Sequence, residues 1–96
     1  MSNSQRFNSV WDALEDSPEQ AENMKLRAEL MTQIRQYVES LNMTQQAAAK
    51  SLGLTQPRLN ELLHGRLDRF SLDKLVNVLA RAGKHVTVTV SDEEVA

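Results

Sequence analysis

The sequence holds no cysteine, only three glycines and two prolines, and 4% aromatic residues. Without cysteine there is no disulfide framework and no thiolate zinc site. Two lone histidines, His64 and His85, do not make a metal site either. No apolar run is long enough to span a bilayer. The opening "MSNSQRFNSVWDALED" lacks the apolar core of a signal peptide, so the expected compartment is the cytoplasm. No glycine loop suited to cradling phosphates and no Ser/His/Asp spacing is present, so neither an enzyme nor a cofactor is expected. What is there is 96 residues, one domain's worth of chain, rich in Leu, Ala, Gln, Glu, Lys and Arg. That is the composition of a mostly helical protein.

The net charge of −2 conceals a division. Residues 1–40 carry four basic and seven acidic side chains, or −3. Residues 41–85 carry seven basic and three acidic, or +4, and residues 86–96 carry three acidic and no basic, or −3. A polyanion responds to the local surface within a Debye length of ~10 Å, not to the total. The basic middle is therefore able to hold nucleic acid although the chain is acidic.

Helix punctuation is clear along the middle. "SPEQ" starts a helix with Ser17 as cap, Pro18 at the first helical position and Gln20 where a capping box sets its acceptor. Leu26, Leu30, Ile34, Val38 and Leu41 form a stripe that carries this helix to about Leu41, with Met31 and Tyr37 beside it and Asn42 as a left-handed terminator. Thr44 caps a second helix, Gln45 to Leu52, ended by Gly53. Thr55 caps a third, Gln56 to Leu63, ended by Gly65. Ser71 caps a fourth that runs to about Ala82 and stops at Gly83. His64 is expected to bond free carbonyls at its helix end. In "HVTVTV" the period changes from 3.6 to 2, with Val86, Val88 and Val90 on one face. This predicts a strand opened by His85, and because a lone strand needs a partner it predicts a two-fold dimer joined through that strand. Three regions follow: residues 1–16 as an N-terminal segment, 17–84 as a helical domain, and 85–96 as a dimerisation strand with an acidic tail.

The second and third helices satisfy a demanding pattern. Two short helices joined by a tight turn need a small residue where they cross, a residue tolerant of positive φ in the turn, and apolar side chains inward. Ala49 is the small residue and Gly53 the turn residue. Ala48, Leu52, Leu54, Leu59 and Leu62 make the inward set, which leaves Gln56, Arg58, Asn60 and Glu61 facing elsewhere.

On those residues, the stretch 44–83 resembles the helix-turn-helix of the phage repressor and Cro (Xre) family. The resemblance implies an all-α, lambda-repressor-like domain whose third helix enters the major groove of double-stranded operator DNA. Thr44, Gln45 and Thr55 would then meet phosphates, as would Arg66 and Arg69 in the connector, unless those arginines merely pair with Asp68 and solvent. Gln56, Pro57, Arg58, Asn60 and Glu61 would face bases. Glutamine pairs with adenine and arginine with guanine or a phosphate. Pro57 offers only apolar contact, and Glu61 either reads cytosine or caps an arginine. A second, longer pattern joins "VWDAL", "SPEQAENMKLRAELM" and "LTQPRLNELLHGRLDRFSLDKLVNVLARAGKHVTV", and it resembles HigA-type antitoxins. That resemblance implies a homodimer that represses its own operon and neutralises a small basic ribonuclease toxin. Phe7, Val10, Trp11 and Leu14 would supply apolar anchors for docking to such a partner, or would fold back over the protein's own core. Two alternatives stand beside this reading: a stand-alone repressor with no toxin, and a protein inhibitor without specific DNA binding.

Overall fold

The computed structural model describes residues 17–92, and within them the fold is four α-helices and one short 3-10 turn. Helix α1 spans Pro18–Ser40, α2 spans Gln45–Ser51, α3 spans Gln56–Leu63 and α4 spans Leu72–Arg81, with the 3-10 turn at Leu67–Arg69. The four predicted caps all act as such. The backbone N–H of Gln20 donates to Ser17 Oγ, that of Ala47 to Thr44 Oγ1, that of Arg58 to Thr55 Oγ1 and that of Lys74 to Ser71 Oγ. Each hydroxyl satisfies one of the donors a helix leaves free at its start.

Packing follows the apolar stripes. Helix α1 lies against α4 and α3, and α2 pairs with α3. The core between them is Met31, Ile34, Ala48, Ala49, Leu52, Leu54, Leu59, Leu62, Phe70, Leu75, Val78 and Leu79. All five residues predicted to face inward from the paired helices are in it. Gly53 holds the turn between α2 and α3 at φ +72, a conformation that disfavours any residue with a Cβ. A Cβ added there would also stand 3.2 Å from the Arg81 guanidinium.

Three expectations are corrected. The segment after α4 forms no strand: Lys84–Asp92 has no regular secondary structure, and no strand occurs anywhere among the described residues. Val86, Val88 and Val90 are exposed rather than buried as a face. The alternation of Val and Thr supplies β propensity, but a strand exists only through a ladder, and residues 17–92 contain no second strand to complete one. The fold is all-helical, without the C-terminal dimerisation strand, and His85 opens no strand. Asn42 does not terminate α1 in a left-handed conformation, since among the described residues none but glycine has positive φ. The helix instead ends on an extended Leu41, whose N–H donates to Val38 O at 3.1 Å. Leu26, at the head of the α1 stripe, is 50% exposed while Ile34 is 1% exposed. Helix α1, at 23 residues and so ~34 Å, is more than twice the length of any helix it covers. Leu26 borders an open groove with Val76, Val86 and Val88 instead of joining the core.

Candidate nucleic-acid interface

Helix α3 divides its residues cleanly. Leu59 and Leu62 have no exposed surface, whereas Gln56, Pro57, Arg58 and Asn60 are exposed and Glu61 is half-buried. Its two leucines, three residues apart, pin the helix to the core and leave the polar positions outward. Pro18 and Pro57 serve their helices alike, each within the first turn, where a missing N–H leaves no intrahelical bond unmade.

The phosphate candidates lie at the starts of α2 and α3 and on the connector after α3. Thr44 and Thr55 are exposed, and each hydroxyl accepts a bond from its own helix, which leaves its proton free to donate outward. Gln45 is half-buried at the start of α2. Arg66 and Arg69 are exposed on the connector after α3. The ring Nδ1 of His64 lies 2.8 Å from Asn60 O, so His64 closes the end of α3 as expected of a helix-end histidine.

Arg58 and Glu61 do not stand free. Arg58 Nη1 donates to Glu61 Oε1 at 3.2 Å, and the Arg58 guanidinium lies 5.6 Å from the centre of the Phe70 ring. Arg69 Nε is 3.7 Å from Glu61 Oε2 and 3.9 Å from Asp68 Oδ2. Of the two roles open to Glu61, capping an arginine is the one the free structure displays, and it caps two.

Two further cations belong to the same place. A cleft where α1, α3, the connector and α4 meet is lined by Arg27, Arg58, Asp68, Arg69, Phe70 and Lys74, among others. Arg27, on α1, donates through Nη1 to Leu67 O and Phe70 O, which ties the connector to the core helix. Sequence reasoning passes over Arg27 because its partners are 40 and 43 residues away. Lys74 had a readable signal: like Arg58, it puts a cation in the first turn of a helix, where the helix dipole disfavours positive charge.

Phe7, Val10, Trp11 and Leu14 lie outside the described residues. Among the described residues no group of acidic and histidine side chains is arranged to hold a metal ion, and no helix is long and apolar enough to cross a membrane. A family model described as a helix-turn-helix domain matches residues 13–91, which takes in all four helices. No curated protein matches the chain.

Proposed function

Because this chain belongs to the helix-turn-helix domain family, we propose that it is a sequence-specific DNA-binding regulator that reads the major groove with α3. The observation that carries the reading is the split of that helix. Leu59 and Leu62 are fully buried, whereas Gln56, Arg58 and Asn60 are exposed. Glutamine and asparagine pair bidentately with adenine, and arginine with guanine. Phosphate contact falls to Thr44, Gln45, Thr55, Arg66 and Arg69 around the helix, in the part of the chain that carries +4. Binding is the whole of the function, with no catalytic step.

Within that reading we place the chain as an autorepressing antitoxin. Its resemblance to HigA-type antitoxins supports this, as does the acidic balance of residues 1–40, which suits a basic protein partner. Two copies on a two-fold operator would set their α3 helices about one DNA turn apart, ~34 Å. Electrophoretic mobility shift on the promoter upstream of the chain's own gene tests the DNA reading. Gln56→Ala should cost ~1–3 kcal/mol on the cognate site and relax its base preference without changing the melting temperature. Wild-type binding that ignores salt would rule out contact led by phosphates. Co-purification with the product of the adjacent gene tests the antitoxin reading separately.

A further inference from the structure

Glu61 stands between two arginines that the DNA-binding reading needs elsewhere. One carboxylate oxygen takes Arg58 at 3.2 Å and the other faces Arg69 at 3.7 Å. Arg58 comes from the first turn of α3 and Arg69 from the connector, so a single carboxylate bridges two elements of the interface. The side chains are 46%, 52% and 31% exposed for Arg58, Arg69 and Glu61. Pairs at that exposure are weak and screened by salt. They hold the arginines without locking them. Phe70 keeps Arg58 close by, since the guanidinium rests against its ring.

A carboxylate on the groove-facing side of a recognition helix has a second consequence. Once a base edge draws Arg58 away and a phosphate draws Arg69 away, Glu61 is left without a counter-ion beside a polyanion. Its acceptor oxygens then require a donor from the base edges. In the major groove guanine offers O6 and N7 and thymine O4, all acceptors that repel a carboxylate. Cytosine offers its N4 amino group with a C5–H and no acceptor on its open side, whereas the adenine N6 amino group lies between two acceptors, its own N7 and the paired thymine O4.

We propose that Glu61 is a specificity gate: it ties Arg58 and Arg69 together in the free protein and releases them to DNA at full strength only where a cytosine amino group takes their place. This rests on the DNA-binding reading above. On any other sequence the gate lowers affinity, so Glu61 suppresses non-specific binding by the basic middle of the chain.

The test compares wild type with Glu61→Gln, which keeps shape and loses charge, and with Glu61→Ala, which loses both. Fluorescence anisotropy of the full chain on a random-sequence duplex between 50 and 200 mM salt gives affinity and salt slope, and selection from a randomised duplex pool gives base preference. Both variants should bind the random duplex about tenfold tighter at the low-salt end. The log–log salt slope should steepen by roughly 1 as Arg69 becomes available to phosphates. Selected sites should lose a cytosine at one position of each half-site. Circular dichroism checks that both variants stay folded, which a partly exposed position allows. A wild-type salt slope or an unchanged base preference in the variants overturns the gate while the DNA-binding reading stands. Wild type that binds no duplex at any salt overturns that reading and the gate together.

Discussion

In α3 the leucines at 59 and 62 are wholly shielded from solvent, whereas in the segment after α4 Val88 and Val90 are 76% and 90% exposed. Both stretches repeat apolar residues with a regular period, and both are rich in residues suited to their expected form. The difference lies in where the backbone bonds are made. A helix satisfies its own amides along one continuous stretch, so α3 needs the core only to cover its leucines. An extended segment satisfies nothing by itself, and its apolar face has no place to go until a neighbouring ladder exists. The same reasoning explains why Leu59 is held by chain that surrounds it, while the valines border an open groove with Leu26 and Val76.

Substitutions can break this comparison or refine it. The largest effect is expected at Leu59→Ala, which opens a cavity beneath α3 and should cost ~2–5 kcal/mol in denaturant unfolding. A loss below ~1 kcal/mol would mean that α3 is not seated on the core as described. Gly53→Ala should cost ~1–2 kcal/mol, because alanine must adopt positive φ at a point where Arg81 already crowds the position. Restoring part of that loss with Arg81→Ala in the same background would separate crowding from backbone strain. Thr55→Ala removes the cap of α3 and should lower stability by ~1 kcal/mol, with no cavity formed. Val88→Ala should stay within about 0.5 kcal/mol in the isolated chain. If it instead destabilises as much as Leu59→Ala, the valine face is covered in solution and the contrast with α3 fails.

Much of the helical frame was legible without coordinates. Ser17, Thr44, Thr55 and Ser71 announce their helices because a cap is a contact of three residues' span, and the chain order alone contains it. Ala49 and Gly53 mark the turn for a similar reason, since φ and local size are properties of neighbouring residues. The outward set of α3 was readable from the period of Leu59 and Leu62. The end of α1 was not: Asn42 suits a left-handed terminator, but an extended Leu41 already turns the chain, so nothing requires positive φ there. Leu26 shares the stripe of Ile34 and still lies outside the core, because a stripe records which face is apolar and not how far the covering helices extend.

By itself, then, the sequence determined what local geometry can satisfy: four capped helices, the tight turn at Gly53, the two-sided character of α3 and the basic middle of the chain. Only the tertiary structure decided what depends on distant partners. It placed Arg27 across the carbonyls of Leu67 and Phe70, laid Arg58 on Phe70, and set Glu61 between Arg58 and Arg69. It also left the valine segment without a ladder. The physical reason is range. Caps and helical bonds close within a few residues, whereas ion pairs across elements and β pairing join groups whose separation along the chain says nothing of their separation in space.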